Sequence, residues 1–309
     1  MASPTAHIPV LLSEVLQWSG LDEQPSGSRT VVDGTLGGGG HAWHFIQKLG
    51  VGDCLVGIDR DAFAIQRVTR FLDELLPKNE DTQERTTCRI RLIQSSYREL
   101  PTLMTEHAIP KADCILLDLG LSSDQLEDRE RGFSFRAGGE LDMRYCPDEG
   151  IAVRDLLAKI DERELADIIY KYGEERFSRR IARKIVETRR SAPIETAEQL
   201  AELVHRCVPG QVHGRIDSAT RTFQALRIAV NHELDHLETA LKRLPDCLSQ
   251  GGRLLVISFH SLEDRLVKHA MREDERLQVL TKKPIVASES EISKNARSRS
   301  AKLRVAARV

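Results

Sequence analysis

Largely apolar runs recur near both ends of the chain, and each leads into a polar or glycine-rich segment. They cover residues 30–32, 54–58, 113–117 and, after the turn signal Gly251-Gly252, residues 253–259. Short runs without polar alternation are typical of strands that are buried on both faces of a parallel sheet. Helical patterns, such as that over residues 62–76, separate the runs as crossover connections require. The two ends of the chain therefore predict a doubly wound α/β sheet.

Helical periodicity replaces these runs in the middle of the chain. Two sets of apolar side chains recur three and four residues apart: Leu165, Ile168, Ile169 and Tyr172, and then Leu200, Leu203, Val204 and Cys207. Asp161 with Glu164 and Thr196 with Gln199 have the spacing of capping boxes, which mark helix starts. We therefore expect a helical insert over residues 125–215, dividing a sheet domain made of residues 1–124 and 216–309.

Charge is nearly balanced over the whole chain, which has 45 Lys and Arg, 47 Asp and Glu, and a formal net charge of -2. Because such a chain has little overall attraction for a polyanion, nucleic-acid binding would have to come from local patches. Six scattered cysteines without a C-x-x-C pair indicate reduced thiols. No apolar run approaches the roughly 18 residues of a membrane span. We expect a cytoplasmic protein with no membrane contact.

The first run ends in VVDGTLGGGGHA, which places Asp33 at a strand end and four glycines in the following turn. Gly37, Gly39 and Ala42 also match the dinucleotide fingerprint G-x-G-x-x-A, with Asp59 at the position that would bind a ribose. A carboxylate at Asp33 would repel a pyrophosphate, whereas it could accept from the ammonium group of S-adenosylmethionine or lie near the sulfonium. The turn therefore favours a methyl donor over a nicotinamide dinucleotide.

Asp59 and Asp118 follow predicted strands at the sheet edge where open α/β folds bind ligands, and Tyr97 follows the segment 90–95. Asp59 could accept from both ribose hydroxyls, or it could cap the next helix. Tyr97 could pack against adenine, or close the sheet edge. Asp118 lies where such sheets place the group that meets the transferred methyl, although a turn or helix cap would also use an Asp there.

Seven motifs, in chain order, resemble the ribosomal RNA small subunit methyltransferase H family, also called MraW. They are HIPVLLSEVL (7–16), DGTLGGGGH (33–41), LLDLGLSSDQL (116–126), RGFSF with LDMR (131–144), YGEERFSRRIARKIV (172–186), ATRTFQALRIAVNHEL (219–234) and SFHSLEDRLVK (258–268). The resemblance covers nearly the whole chain. It implies a Rossmann-like, class I S-adenosylmethionine-dependent methyltransferase sheet with an inserted helical domain.

The resemblance also implies a reaction and a set of contacts. The family methylates N4 of cytidine 1402 in bacterial 16S rRNA of the small ribosomal subunit. Matched by motif, its cofactor contacts fall on Gly39, Gly40, His41, Asp59, Tyr97, Asp118 and Gln125, and the turn itself adds Asp33 and Gly37. Tyr97 stands where relatives carry Phe, which preserves stacking, and no residue is transferred within 273–293. A homodimer is compatible with this assignment.

A cytosine amino group is a poor nucleophile until acceptors draw on its N–H protons. Asp118 is the expected acceptor, helped by Ser122 or by neighbouring backbone carbonyls. Asn231, on a long helical pattern, and His260, after the last apolar run, are further catalytic candidates, although His260 could equally be a core or capping residue.

Other chemistry finds less support in the sequence. The Pro-Pro-aromatic motif of amino-group DNA methyltransferases is missing after Asp118, so the aromatic that stacks on the base must come from elsewhere, with Phe133, Phe135 and Phe259 as candidates. His232 and His236 lack further ligands at a suitable spacing, and we expect no metal site.

Two basic clusters could contact RNA phosphates. The first contains Arg179, Arg180, Arg183 and Lys184 of the insert; the second lies in the Ser/Arg/Lys-rich tail and includes Lys294, Arg297, Arg299, Lys302, Arg304 and Arg308. Such runs usually form a solvated helix face, but their local concentration in a slightly acidic chain favours RNA.

Two other functions remain open at this point. One is a nicotinamide-dependent oxidoreductase built on the same glycine turn. The other is an RNA-binding ribosome-assembly factor whose cofactor pocket is vestigial, although the retained Asp33, Gly37, Gly39, Asp59 and Asp118 argue against decay.

Overall fold

The computed structural model describes residues 8–23, 27–76, 88–122, 125–126, 128, 130–135, 139–209 and 217–309. The chain forms two compact units, one of residues 1–121 and 235–309 and the other of Ser122–Leu234. The expected boundary positions 124 and 215–216 lie outside the described residues. The return to the sheet unit comes later than expected, because the helix Ala219–Asn231 packs on Glu162–Gly173 of the insert.

A seven-stranded sheet is the framework of the first unit. Its strands are β1 (Thr30–Asp33), β2 (Cys54–Asp59), β3 (Arg89–Gln94), β4 (Ala112–Asp118), β5 (Leu248–Ser258), β6 (Leu277–Val279) and β7 (Lys302–Arg308). The strand order is β3-β2-β1-β4-β5-β7-β6. The first five strands in this order are parallel, whereas β7 runs antiparallel to both β5 and β6. The doubly wound α/β prediction is confirmed.

Helices cover both faces of this sheet. They are α1 (Leu12–Trp18), α2 (Gly40–Ile46), α3 (Ala62–Leu75), α4 (Leu100–Glu106) and, after the insert, α10 (Glu233–Arg243), α11 (Ser261–Glu273) and α12 (Glu289–Lys294). Successive residues of β4 point to opposite faces, so Ile115 and Leu117 join one core cluster while Cys114 and Leu116 join the other. This burial on both faces explains why the central strands appear as uninterrupted apolar runs.

Two strands differ from the sequence expectation. β3 is an edge strand with only half-buried side chains, and its alternating RIRLIQ sequence lacks an apolar run. The Ser/Arg/Lys-rich tail was considered only as a basic cluster, yet its residues 302–308 form the strand β7. Leu303 and Val305 of β7 are fully buried, and Arg304 is paired with Asp264 at 2.7 Å.

The second unit is helical. It contains α5 (Val153–Lys159), α6 (Glu162–Gly173), α7 (Ser178–Arg189), α8 (Ala197–Cys207) and α9 (Ala219–Asn231). Asp161 caps α6 by accepting from the backbone N–H groups of Arg163 and Glu164 at 2.7 and 3.0 Å. Thr196 and Gln199 form the full capping box at the start of α8. Among the described residues, no helix has the length and apolar character needed to cross a membrane.

Gly173 lies where α6 packs closely on α9. A Cβ at Gly173 would lie 2.5 Å from the carbonyl oxygen of Arg221. Backbone cannot move aside as a flexible side chain can, so overpacking should exceed the roughly 1 kcal/mol that alanine gains over glycine in a helix. We predict that Gly173→Ala lowers the free energy of unfolding by about 1 to 3 kcal/mol in chemical denaturation of the full chain. The exposed substitution Lys171→Ala is the control, and a Gly173→Ala variant as stable as this control would contradict the packing.

Candidate functional site

The glycine turn between β1 and α2 is hydrogen-bonded to the two neighbouring strands. The backbone N–H of Gly34 donates to the carbonyl of Leu116 in β4, and that of Leu36 donates to the carbonyl of Ile58 in β2, both at 2.9 Å. Gly37 and Gly39 have φ of 50° and 76°, in the left-handed region that glycine adopts without strain. The sequence VVDGTLGGGG therefore forms a fixed, side-chain-poor turn at the carboxyl edge of the sheet.

Three carboxylates surround this turn because β2, β1 and β4 are adjacent and each ends in an aspartate: Asp59, Asp33 and Asp118. Asp59 accepts from the N–H of Gly37 at 2.7 Å and from the N–H of Asp61 at 2.9 Å. The alternative role of Asp59 as the helix cap is filled by Asp61, which caps α3 by accepting from Phe63. Asp59 instead ties the second strand to the glycine turn.

Asp33 is the most enclosed of the three carboxylates, at 1% exposure. Burial is the main reason that its pKa rises to about 6, a rise that His41 opposes electrostatically. Its one described hydrogen bond comes from the backbone N–H of Thr35 at 3.2 Å. A buried carboxylate with this pKa is still mostly ionised at pH 7, so it contributes a negative charge next to the turn.

Asp118 and His41 face each other across the same edge. Asp118 Oδ2 lies 3.5 Å from His41 Nε2, with the carboxylate 25% exposed and the imidazole 6% exposed. In the part of the chain that the structure describes, Asp118 Oδ1 and both ring nitrogens of His41 are buried without a hydrogen-bond partner. Unsatisfied buried polar atoms are costly, so their clustering here indicates a place where a bound molecule supplies the missing bonds.

Tyr97 begins a short 3-10 turn, Tyr97–Glu99, directly after β3. Its ring packs partly buried against the core. Its Cβ lies 3.1 Å from the position that a Cβ on Gly34 would occupy. The structure thus places Tyr97 beside the glycine turn, while adenine stacking remains a prediction.

His260 has the capping role that was its alternative interpretation. It is the N-cap of α11, where its Nδ1 accepts from the N–H of Glu263 at 3.4 Å. The Glu263 carboxylate returns the contact by accepting from the N–H groups of Phe259 and His260 at 2.8 and 3.3 Å. These reciprocal bonds favour a structural role for His260 over a catalytic one.

The remaining catalytic and cofactor candidates belong to the second unit. Ser122 and Gln125 bond reciprocally, since each side chain accepts from the other's backbone N–H at 3.2 and 3.1 Å. Asn231 is 1% exposed, and its amide accepts from Tyr145 N–H and donates to the carbonyls of Met143 and Arg227. Asn231 therefore holds the segment 143–145 in place, which favours support over catalysis.

Phe133 and Phe135 each pack against another aromatic ring of the second unit. Phe133 stacks on Tyr145 with ring centroids 5.8 Å apart, and Phe135 meets Phe223 edge-on at 5.2 Å. The first ring is buried, so neither contact identifies the aromatic side chain that would stack on a base.

The two basic clusters differ in their surroundings. Arg179, Arg180, Arg183 and Lys184 are all exposed on α7, with acidic partners at 3.5 Å for Arg183 and 3.9 Å for Lys184. In the tail, Lys302 and Arg304 are paired with Asp264, and Arg308 with Asp246. Ion pairs thus occupy Lys302, Arg304 and Arg308 of the tail cluster, whereas all four residues of the α7 cluster are exposed.

Residues 288–300, which we call the C-terminal strap, border the site without any sequence signal. Glu291 accepts from the backbone N–H of Leu11 at 2.8 Å, and Asn295 donates to the carbonyl of Ile8 at 2.9 Å. Pro9 between them packs so closely on Gly40 that a Cβ there would lie 2.6 Å from its ring. At its far end, Arg297 donates to the carbonyl of Leu121, after β4. The strap thus fixes two borders of the site.

Leu11 makes the strap testable because its φ is 52°, a left-handed conformation that costs a non-glycine residue about 1 to 2 kcal/mol. The hydrogen bond that the Leu11 N–H donates to the Glu291 carboxylate helps to hold that conformation. We predict that Glu291→Ala weakens S-adenosylhomocysteine binding by about 1 kcal/mol, roughly fivefold, in calorimetry. Glu289→Ala, an exposed change on the same helix, should have no effect. Equal affinities in the two variants would show that the strap does not support the site.

Comparison with known proteins identifies the family of this chain. The chain matches the model of the MraW methylase family over residues 4–309. It is 44% identical to the Ribosomal RNA small subunit methyltransferase H of Rhodopirellula baltica, covering 100% of this chain and 93% of that protein. The protein of the same name in Cyanothece sp. is 48% identical, covering 98% and 95%. A solved rRNA methylase from Streptococcus thermophilus aligns over 95% of each chain, with a TM-score of 0.43 and 10% identity. On its full-length sequence matches, this chain belongs to the MraW methylase family.

Proposed function

We propose that this chain is an S-adenosylmethionine-dependent methyltransferase of small-subunit ribosomal RNA, and that its acceptor is N4 of cytidine 1402 in 16S rRNA. Its relatives of 44% and 48% identity are named for methylation of small-subunit ribosomal RNA. The observation that carries the proposal is the glycine turn enclosed by Asp33, Asp59 and Asp118 at three adjacent strand ends. Ribosomal subunits are cytoplasmic, and we place the reaction there.

The residues present fit S-adenosylmethionine better than a dinucleotide. Gly37 and Gly39 leave backbone accessible, Asp59 offers a carboxylate at a strand end for ribose hydroxyls, and Asp33 offers one for an ammonium group. His41 and Asp118 supply the buried polar atoms that lack partners among the described residues. A pyrophosphate would instead meet the carboxylates of Asp33 and Asp118 in a partly desolvated site, where like charges repel strongly. This arrangement argues against the nicotinamide alternative.

Bound S-adenosylmethionine would supply an electrophilic methyl group; the protein supplies position and a proton acceptor. Asp118 is largely enclosed yet 25% exposed, so it can meet an incoming amine while the N–H of its own backbone is held by Thr35 Oγ1 at 2.6 Å. A carboxylate that accepts from the amino group orients the nitrogen lone pair and takes up its developing charge. Ser122 remains a proposed helper. We assign Asn231 and His260 to support of the segment 143–145 and of α11.

RNA contact is proposed for the exposed α7 cluster. Phosphate binding by Lys and Arg is local and does not require a basic chain, so a formal charge of -2 is compatible with it. The assembly-factor alternative requires the cofactor site to have decayed, and the intact turn and carboxylates argue against that. The homodimer remains a prediction.

Methyl transfer to a mapped nucleotide tests the proposal. Labelled S-adenosylmethionine is incubated with the full chain and either assembled small subunits or free 16S rRNA, and the modified nucleotide is identified. We predict label at N4 of one cytidine, and a loss of at least about tenfold in single-turnover rate for Asp118→Asn at saturating cofactor, with RNA affinity retained. The absence of transfer by the folded wild type to either substrate would refute the function, whereas an unchanged rate in Asp118→Asn would refute only the role of Asp118.

The α7 cluster has its own test. Replacing Arg179, Arg180 and Arg183 with Gln should weaken RNA binding and reduce the slope of log affinity against log salt. The expected reduction is about 0.7 to 0.9 for each phosphate that the variant no longer neutralises. Cofactor affinity should not change.

A matched control removes the same charge elsewhere in the insert, through Gln at the exposed Lys159, Arg163 and Lys171. If both triple variants alter the salt slope equally, net charge and not the α7 surface is responsible, and the assignment fails.

A further inference from the structure

The surroundings of His41 are unusual for a buried histidine. It lies in the first turn of α2, is 6% exposed, and has neither ring nitrogen hydrogen-bonded within the described structure. Asp118 Oδ2 lies 3.5 Å from its Nε2. Because a buried imidazole without hydrogen bonds destabilises the fold, the presence of His41 here is better explained by a role in the reaction than by a role in folding.

The proposed reaction releases a proton that this histidine can accept. The amine nitrogen uses its lone pair to form the N–C bond, the S–C bond breaks and leaves its electron pair on sulfur, and one N–H proton departs. The positive charge thus disappears from the sulfonium and reappears as a proton in a partly buried site. Asp118, as the acceptor of the amine N–H, is the first group able to receive that proton.

We propose, on the basis of the function above, that His41 takes this proton from Asp118 and holds it as an imidazolium, with Asp33 and Asp118 as its two counter-ions. His41 reaches the amine only through Asp118, so it is a positioning residue that stores the proton. The transfer balances: the site loses one positive charge from sulfur and gains one on His41.

The surrounding charges favour this exchange. The charged groups that act electrostatically on Asp33 of β1 are His41 from α2, Asp118 from β4 and Asp59 from β2. Cys114 of β4 is also close to Asp33, but burial raises the pKa of its thiol to about 12, so it stays neutral. A positive charge within about 6 Å lowers the proton affinity of such groups by a factor of about 10 to 1,000. A sulfonium bound beside these carboxylates would disfavour a second positive charge on His41, and methyl transfer would remove that repulsion.

The same reasoning applies to binding without turnover, because S-adenosylmethionine and S-adenosylhomocysteine differ by one methyl group and one positive charge. Calorimetry of the full chain at pH 7, in two buffers of different ionisation enthalpy, gives the number of protons taken up with each ligand. We expect S-adenosylhomocysteine to take up more protons than S-adenosylmethionine, by up to about one per site. Equal proton uptake with both ligands in the wild type would overturn the proposal.

Variants then identify the group that holds the proton. His41→Gln should abolish the difference in proton uptake, and Asp33→Asn should reduce it. His44→Gln should preserve it, because His44 lies on the same helix with its Nδ1 bonded to the carbonyl of Gly40 at 2.8 Å. A difference that persists in a folded His41→Gln variant would assign the proton elsewhere. If His41→Gln fails to fold, an undiminished difference in Asp33→Asn would overturn the arrangement instead.

A pH profile separates proton storage from simple packing. In single turnover at saturating RNA and cofactor, His41→Gln should be slowed at least about tenfold at pH 7 and should recover as pH rises and solvent takes the proton. A uniform loss at every pH would indicate a merely structural role for His41. Failure of the wild type to bind either ligand or to transfer methyl would refute the proposed function itself, which distinguishes the two failures.

Discussion

The hydrogen bonds that suspend the glycine turn from β2 and β4 are the constraint on which the site depends. The bonds from Gly34 to Leu116 and from Leu36 to Ile58 make the turn an extension of the parallel sheet, and the carboxylate of Asp59 holds Gly37 at 2.7 Å. Because β2, β1 and β4 are neighbours, their carboxyl-terminal aspartates lie around this turn without any help from loops. Sheet order thus determines the charge of the site.

The two units differ in the charged groups that they present. The first unit collects three carboxylates beside the turn, which suits a cationic methyl donor, and the second exposes basic side chains on α7, which suits phosphate. The whole-chain value of -2 conceals this division. Burial opposes the negative charge at Asp33 by raising its pKa to about 6, which still leaves the carboxylate mostly ionised at pH 7.

Local pattern was sufficient to predict the central strands, the helical insert and the position of the glycine turn, because continuous apolar runs, helical periodicity and glycine repeats arise from nearby residues. It was not sufficient for β3 and β7. The first is a half-exposed edge strand. The second has a basic sequence and is nevertheless buried, because Asp264, 40 residues away, neutralises its Arg304. The strap depends on pairs as distant as Leu11 and Glu291, 280 residues apart, and no periodicity can reveal such a contact. Position after the last apolar run and on a long helical pattern makes His260 and Asn231 catalytic candidates, whereas their bonds to Glu263 and to segment 143–145 favour support.

The central claim is that the glycine turn with its three carboxylates binds a cationic methyl donor and not a dinucleotide. Isothermal titration of the full chain with S-adenosylmethionine and, separately, with NAD at the same pH and salt tests it most directly. The account predicts saturable, one-to-one binding of S-adenosylmethionine and no measurable binding of NAD, because a pyrophosphate would meet the charges of Asp33 and Asp118. Tighter binding of NAD than of S-adenosylmethionine would contradict it.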